Sequence, residues 1–201
     1  MSNDSFIDID LGEFAPPTES QIHVIAGGPC SGKTSVIKAL QARGHSVAYE
    51  PAELLLLADT QKGENAKSMR QDAIRWQKKV ITADINLFKR LSSEGEVFVD
   101  TTFIETLVYC LQAGLELGPG IKSFFEKVRF SHVFFLEPLP NYEATSIRLE
   151  KESTARMLSN EILSTYREYR YQPVIIPPLS IAKRVDLIEA ITNSHLSSWS
   201  K

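Results

Sequence analysis

Residues 22–34 join an apolar run to the glycine-rich pattern G-x-x-x-x-G-K-[ST], and no other feature constrains the fold of this chain as strongly. The run Ile22–Ala26 predicts a strand, and the apolar stripe behind the pattern predicts a helix. Gly27 and Gly32 permit backbone conformations that a side chain would block, so successive N–H groups can turn toward an anion. The positive end of the helix favours the same anion. The sequence therefore predicts a phosphate-binding loop between a strand and a helix.

Two side chains at the end of this loop have the chemistry that nucleotide binding needs. Lys33 can reach the β- and γ-phosphates, and the Thr34 hydroxyl can ligate Mg²⁺. The alternative is a glycine-rich turn that matches the pattern by chance, and the strand and helix predicted on either side argue against it. We expect a bound nucleotide to contact Gly27, Gly28, Pro29, Cys30, Ser31, Gly32, Lys33, Thr34 and Ser35.

Composition and charge limit the class of protein. The chain has 201 residues, 43% of them hydrophobic, which suits one α/β domain with a substantial core. Its net charge of −3 gives no indication of binding to nucleic acid or to an anionic membrane. No apolar run approaches the roughly 20 residues of a membrane-spanning helix, and no secretory signal opens the chain. Two cysteines are too few for a disulfide framework, so we expect a cytoplasmic protein.

One of these cysteines, Cys30, lies within the predicted phosphate loop. A thiol near a helix N-terminus can be redox-sensitive. The simpler interpretation is that Cys30 is a small residue that fits the loop.

The rest of the sequence predicts an N-terminal tail followed by one domain. Residues 1–20 are acidic and without a regular period, and we expect a flexible tail that makes at most a short contact through Phe6, Ile7 and Ile9. From residue 21 to 201 strands and helices alternate, which predicts a mainly parallel sheet covered on both faces. The predicted strands are Ile22–Ala26, Ser46–Tyr49, Glu96–Asp100, His132–Leu136 and Val174–Ile176.

Asp100 is the strongest second candidate for the site, because it ends an apolar strand. In an open parallel sheet ligands bind beyond the carboxyl ends of the strands, which places Asp100 beside the phosphate loop. There it can hold a magnesium-bound water or accept the proton of a substrate hydroxyl. The alternative is that Asp100 is the N-cap of the helix that begins near Thr101 and Thr102.

Glu50 ends the second predicted strand in the same way, before Pro51. A carboxylate there can act as general base on an acceptor hydroxyl or position an attacking water. The alternative is a carboxylate that caps the helix after Pro51. Glu53 is a weaker candidate for the same role, and Glu105 can also line the cleft.

A polar, charged stretch at about 138–153 predicts a lid. Arg148 is the first candidate to close over the phosphates and stabilise the charge that develops in transfer, and Arg156 is the second. The alternative is a solvated charged helix, the usual meaning of such a run. After the last predicted strand, the loop Pro177–Ser180 is placed to contact a nucleobase, with Arg184 nearby.

Several of these motifs together resemble a known group of proteins, the small P-loop domains of the AAA-type ATPase or kinase-like class, which includes relatives of the ribosylnicotinamide kinase domain. The resemblance covers roughly residues 21–192. The matching segments are Gly27–Thr34, Tyr49–Glu53, Val97–Asp100 with Tyr109, Glu137–Tyr142, Arg148 with Glu150, and Pro177 with Arg184–Asp186.

The resemblance implies a kinase-type P-loop fold, with three α/β/α layers and five strands in the order 2-3-1-4-5. It also implies ATP or GTP with magnesium, and a lid after the fourth strand. The chain departs from the group at Thr101 and Thr102, because an arginine often follows the acid that ends the third strand. This departure counts against a nucleoside as substrate. No sensor or arginine-finger pattern of a hexameric motor is evident.

Three hypotheses follow. In the first, Lys33, Thr34 and Asp100 bind the magnesium–nucleotide, Glu50 activates the hydroxyl of a small acceptor, and Arg148 closes the lid. In the second, the chain is an ATPase or GTPase switch that acts through a protein partner. In the third, it binds nucleotide without turnover. A kinase consumes nucleotide faster when its acceptor is present, whereas a switch hydrolyses slowly and responds to a protein.

Overall fold

The strands of this domain are short and apolar, and the helices between them carry one buried face each. The computed structural model describes residues 6–12, 20–61, 72–91, 95–139 and 152–196. The strands are β1 Phe6–Ile7, β2 Ile22–Ala26, β3 Val47–Ala48, β4 Val97–Asp100, β5 Glu116–Leu117, β6 His132–Leu136 and β7 Val174–Ile176. The helices are α1 Lys33–Ala42, α2 Pro51–Gln61, α3 Ala73–Leu91, α4 Phe103–Gln112, α5 Pro119–Lys127, α6 Glu152–Glu168 and α7 Ile181–Leu196.

The main sheet has five strands in the order β3-β4-β2-β6-β7, and every neighbouring pair is parallel. In the order of the five predicted strands this is 2-3-1-4-5, so the predicted fold class and strand order are confirmed. β2 and β4 are buried along their whole length, as strands covered on both faces should be.

Alternate residues of the strands face two separate hydrophobic layers. Val24 of β2 and Val99 of β4 belong to the larger cluster, which α3, α4, α5 and α6 cover. Ile25 and Phe98 belong to the smaller cluster, which α1 and α7 cover. Because successive strand residues point to opposite faces, this division makes the three α/β/α layers.

The N-terminal segment contacts the domain more closely than expected. Phe6–Ile7 pairs in parallel with Glu116–Leu117 as a second, two-stranded sheet, and the Ile7 side chain is fully buried in the larger cluster. Residues 6–12 are therefore part of the packed domain, whereas the remainder of the predicted tail, apart from Ser20, lies outside the described residues. Of the predicted lid at 138–153, residues 140–151 also lie outside them.

Because the five strands run in parallel, their carboxyl ends meet at one edge of the sheet. The loop after β2, Glu50 after β3, and Asp100 at the end of β4 all lie at this edge. None of the helices in the described part of the chain has the length and apolar character needed to cross a bilayer.

Candidate active site

The phosphate loop occupies residues 27–32, between the end of β2 and the start of α1. Its backbone turns through left-handed conformations at Gly27, Cys30 and Gly32, with φ of 145°, 57° and 89°. A Cβ on Gly27 would lie 2.7 Å from the Leu136 carbonyl oxygen and 2.8 Å from the Ser31 hydroxyl. Glycine is therefore required at 27 by space as well as by φ.

The second glycine of the loop packs against a helix. A Cβ on Gly28 would lie 2.7 Å from Cβ of Ser159, a buried residue of α6. The loop and α6 are thus in direct contact, and the chain just before α6 is the predicted lid. The loop leaves no room for a side chain at this contact.

Lys33 is buried at the start of α1 and its ammonium group turns into the loop. Nζ donates hydrogen bonds to the carbonyl oxygens of Gly27 at 2.9 Å and Gly28 at 3.0 Å. The ammonium group is therefore already held beside the backbone that would surround a phosphate.

Arg184 on α7 braces the loop from the other side. Its guanidinium is 1% exposed and donates to three carbonyl oxygens: Ser31 at 2.6 Å, Pro177 at 3.0 Å and Glu137 at 3.3 Å. Burial lowers the pKa of Arg184, and the carboxylate of Glu137 acts in the opposite direction. The arginine that sequence analysis placed near a nucleobase loop thus links that loop, the phosphate loop and the end of β6.

Thr34 and Asp100 are brought together. The Thr34 hydroxyl donates to Oδ2 of Asp100 at 2.8 Å, and Asp100 is 1% exposed. Two hard oxygen groups side by side at the end of the phosphate loop fit the ligand preference of Mg²⁺. The alternative role for Asp100 is wrong, because the N-cap of α4 is Thr102, which forms a capping box with Glu105.

The residue after Asp100 has an unusual backbone. Thr101 has φ of 63°, a left-handed conformation that β-branched residues rarely adopt. Its N–H donates to the Ile25 carbonyl of β2, and its side chain lines the cavity described next. Thr101 stands where the similar P-loop proteins often have an arginine. The position at which this chain differs from them is therefore also one of local backbone strain.

A cavity of about 470 Å³ extends from the phosphate loop to α2, α3 and α4. Gly27, Pro29, Lys33 and Thr34 form its phosphate-loop end. Its acidic residues are Glu50, Glu53, Asp84 and Glu105, and its larger apolar and aromatic residues are Leu56, Trp76, Val80, Tyr109 and Ile162. Both carboxylates proposed as general base, Glu50 and Glu53, therefore line the same cavity as the loop.

Asp84 is a site residue that sequence analysis missed. It lies on α3, is 5% exposed, and accepts a hydrogen bond from the Thr106 hydroxyl at 2.6 Å. Burial raises its pKa to about 8, and the hydrogen bond from Thr106 opposes this shift. The available signal was its position three residues after Ile81 and four before Phe88, which places a carboxylate on the buried face of the helix.

Glu105, weakly expected in the cleft, is the second buried carboxyl. Its Oε2 accepts from the Tyr166 hydroxyl at 2.7 Å and from the Thr102 N–H at 3.0 Å. Its Oε1 is buried and has no hydrogen-bond partner among the described residues. Burial raises the pKa of Glu105 to about 7, whereas the bond from Tyr166 and the charge of Lys33 lower it.

Trp76 belongs both to a packed cluster and to the wall of the cavity. It packs with Leu56 and Val80 in a small hydrophobic cluster, and it also lines the cavity. Tyr109, half-buried on α4, lines the cavity as well. The cavity therefore has aromatic as well as acidic walls.

The structure does not bring every predicted residue to the cavity. Arg148 lies outside the described residues, and Arg156 is exposed on α6 and is not among the cavity-lining residues. Within the loop Ser35 is exposed, Cys30 is half-buried, and Ser31 is buried with an Oγ that has no partner in the described part of the chain.

Comparison with known proteins adds the family. A family model described as an AAA domain matches residues 22–184. Among curated protein sequences, none matches this chain.

Solved structures of kinases share the fold. Deoxyadenosine kinase from M. mycoides has a TM-score of 0.60 and 16% identity, over 86% of this chain and 99% of that one. Thymidylate kinase from Candida albicans has a TM-score of 0.57 and 12% identity, over 88% and 92%. NadR protein in complex with NR has a TM-score of 0.54 and 19% identity.

The match to NadR covers 78% of this chain but 45% of the NadR chain, so this chain spans less than half of that protein. At these identities the likeness shows a common fold, that of P-loop kinases. Since the family model spans most of the described residues, the chain belongs to the AAA domain family, as a P-loop kinase-like domain.

Proposed function

We propose that this protein transfers the γ-phosphate of ATP or GTP to a hydroxyl group of a small metabolite. The observation that carries the proposal is the continuous cavity that joins the phosphate loop to a pocket lined by carboxylates. A switch that only hydrolyses nucleotide needs no acceptor pocket joined to the phosphate loop. The names of the structural neighbours, which include deoxyadenosine kinase and thymidylate kinase, support the same reaction class.

The phosphate loop and Lys33 bind the phosphates in this proposal. The backbone N–H groups of the loop surround the anion, and Lys33 exchanges the Gly27 and Gly28 carbonyls for phosphate oxygens. Thr34 and Asp100 hold Mg²⁺, which when bound compensates the charge on the phosphates. Arg148 and Arg156 stay predictions for closing the lid.

Glu50 is the proposed general base, and Glu53 is the alternative. Both side chains line the cavity on the side of α2 and are half-buried, so an acceptor hydroxyl in the cavity can reach them. The base takes the hydroxyl proton as the oxygen attacks the γ-phosphate. Asp84 and Glu105 lie deeper and are assigned to binding rather than to proton transfer.

The decisive experiment is label transfer from γ-labelled ATP and, separately, GTP, with magnesium, into a pool of small metabolites. We expect a labelled organic product with the wild-type protein and none with Lys33→Ala. Label that appears only as inorganic phosphate would favour the ATPase or GTPase switch. If no label moves, nucleotide binding without turnover is the function.

One variant and a matched control test whether Glu50 is the general base. Glu50→Gln should bind nucleotide like the wild type but lose transfer by about 100-fold or more, the usual contribution of a general base. Glu126→Gln, an exposed carboxylate on α5 away from the cavity, is the matched control. An unchanged transfer rate in Glu50→Gln would remove Glu50 as base and leave Glu53.

A further inference from the structure

We propose that Thr101 binds the acceptor: its hydroxyl donates a hydrogen bond to the oxygen that is to be phosphorylated and holds that oxygen between Glu50 and the phosphate loop. The inference rests on the proposed function and adds to it a residue that positions the substrate. It gives a role to the strained side chain that follows Asp100.

The strand order places Thr101 between the two parts of the site that must act on the same acceptor. β4 lies between β3 and β2 in the sheet. Glu50 follows β3 and the phosphate loop follows β2, so the residue after β4 comes between them along the carboxyl edge. The Thr101 N–H donates to the Ile25 carbonyl of β2 at 3.3 Å, which holds the residue at this edge. An oxygen that reaches both the base and the γ-phosphate therefore lies beside Thr101.

The Thr101 hydroxyl has surface on which it can receive a partner. Thr101 is 8% exposed and lines the cavity. Its hydroxyl makes no hydrogen bond within the described part of the chain, yet it is not among the fully buried side-chain oxygens that lack a partner there. An acceptor in the cavity can therefore supply the missing hydrogen bond.

The other threonines of the cavity already donate to carboxylates. Among the described residues three threonines line the cavity: Thr34, Thr101 and Thr106. The Thr34 hydroxyl donates to Asp100 at 2.8 Å, and that of Thr106 donates to Asp84 at 2.6 Å. Of the three hydroxyls, that of Thr101 is thus the one left to bind a substrate.

The backbone of Thr101 gives an independent argument. Its φ of 63° is one that glycine or asparagine adopts at less cost than a β-branched residue. Backbone strain of this kind is found at ligand-binding sites, where the surrounding structure maintains it. The β-branch also restricts the directions in which the hydroxyl can point. A threonine at this position therefore provides a hydroxyl with a restricted direction, as the positioning of a reacting oxygen requires.

Thr101 takes no part in the exchange of bonds. The acceptor hydroxyl gives its proton to Glu50 while its oxygen bonds to the γ-phosphorus. The bond from that phosphorus to the oxygen bridging the β-phosphate breaks, and a nucleoside diphosphate leaves. Thr101 keeps its own proton and donates it as a hydrogen bond to the attacking oxygen, which directs a lone pair of that oxygen toward phosphorus.

Two substitutions separate the hydroxyl from the shape of the side chain. Thr101→Val keeps the volume and the β-branch but lacks the hydroxyl, whereas Thr101→Ser keeps the hydroxyl. With the acceptor found by label transfer, we expect Thr101→Val to raise the acceptor KM by about tenfold, the effect of one lost hydrogen bond, and Thr101→Ser to raise it by less than about threefold. Both variants should leave the KM for nucleotide within about twofold.

Thr192→Val is the control for these variants, because Thr192 is a buried threonine of α7 that does not line the cavity. It should leave both KM values as in the wild type. Equal losses in Thr101→Val and Thr101→Ser would overturn the inference, since the hydroxyl would then not be the group that matters.

A deoxy analogue of the acceptor, with hydrogen in place of the reacting hydroxyl, tests whether the contact is direct. Binding of the acceptor and of the analogue is measured by calorimetry with magnesium and a non-hydrolysable ATP or GTP analogue, in the wild type and in Thr101→Val. The variant should weaken binding of the acceptor by about tenfold and binding of the deoxy analogue by less than about twofold. If Thr101→Val does not fold, Thr101→Ala takes its place in the same comparison.

The outcomes distinguish this inference from the proposed function. Equal weakening of both compounds, or unchanged binding of the acceptor, would overturn the role of Thr101 and leave the kinase function standing. If the wild type yields no labelled organic product from any metabolite, the proposed function is overturned, and the inference with it.

Discussion

Single residues at this site are held by contacts that tolerate no added atom. Gly27 is enclosed by a carbonyl of β6 and a hydroxyl of its own loop, and Gly28 lies against Ser159 of α6. Gly27 is required by its positive φ and by lack of space, whereas Gly28 is limited by space alone. The phosphate loop and α6 pack so closely that there is no room between them for one added methyl group.

Gly28→Ala is therefore expected to weaken nucleotide binding and to lower the Tm. The added Cβ meets Cβ of Ser159 at 2.7 Å, so the loop or α6 must shift, and overpacking of this kind costs about 1–3 kcal/mol. Isothermal titration with ATP and thermal unfolding measure the two effects.

Gly120→Ala is the control for this change, because a Cβ there meets nothing within 4 Å and the residue lies in the first turn of α5. Equal Tm and affinity in Gly28→Ala and Gly120→Ala would show that the loop is not packed against α6.

Residues of the site were predictable where their role depends on local sequence. The loop glycines, Lys33 and Thr34 follow from one contiguous pattern, and Asp100 follows from its place at the end of an apolar strand. Asp84 was missed because it becomes a site residue only when α3 packs beside α4 and meets Thr106. Sequence spacing within one helix does not show which other helix its carboxylate will face.

At the scale of elements, α7 is connected to the site by one side chain. Arg184 reaches from the first turn of α7 to the loop after β7, to the phosphate loop and to the residue after β6. A buried guanidinium that satisfies three carbonyls ties the phosphate loop to the ends of β6 and β7, which the backbone hydrogen bond from Glu137 N–H to the Ile176 carbonyl already joins to each other. The C-terminal helix thereby contributes to the shape of the phosphate loop without lining the cavity.

Replacing this arginine tests the connection. Arg184→Met keeps much of the side-chain volume but leaves the three carbonyls without their donor, so we expect the free energy of unfolding to fall by about 3 kcal/mol. Nucleotide affinity should fall as well, because Ser31 loses its anchor. Urea unfolding and ATP titration are the measurements, with the exposed neighbour Lys183→Met as control. Indistinguishable curves for the two variants would contradict the bracing role.

The elements of the main sheet were predicted well because each strand is a nearly continuous apolar run. Three of the five predicted strands, Ile22–Ala26, His132–Leu136 and Val174–Ile176, have the same bounds in the structure. β1 and β5 could not be found in this way. Each has two residues, and their pairing joins positions far apart in sequence, so neither gives a periodic pattern of its own.

On the scale of the whole molecule, the acidic pocket opposes folding. The folded state keeps Asp84 and Glu105 protonated well above their ordinary pKa values of 3.8 and 4.5, because burial disfavours their charged forms. Between about pH 4 and 8 these two groups therefore bind more protons in the folded state than in the unfolded state, and their contribution to the free energy of unfolding falls as pH rises through this range.

Asp84→Asn should remove part of the fall in the free energy of unfolding that occurs as pH rises. The amide cannot ionise, so the Tm of the variant relative to the wild type should rise between pH 5 and pH 8 by about 2–4 °C, the shift that about 1 kcal/mol produces in a domain of this size. Thermal unfolding of both proteins at the two pH values measures it, and groups common to both cancel in the difference. A difference in Tm that stays constant with pH would show that Asp84 does not titrate between the folded and unfolded states.

The pairing of β1 with β5 has a consequence for how this chain is made. Ile7 pairs with a strand at Glu116–Leu117, so during synthesis this segment waits while roughly 110 more residues are added. At bacterial or eukaryotic synthesis rates that interval is roughly 5 to 20 s. During it the fully apolar Ile7 side chain stays outside the core that later covers it. The segment around Ile7 is thus synthesised well before the strand that pairs with it, and it reaches its final place only after that strand is available.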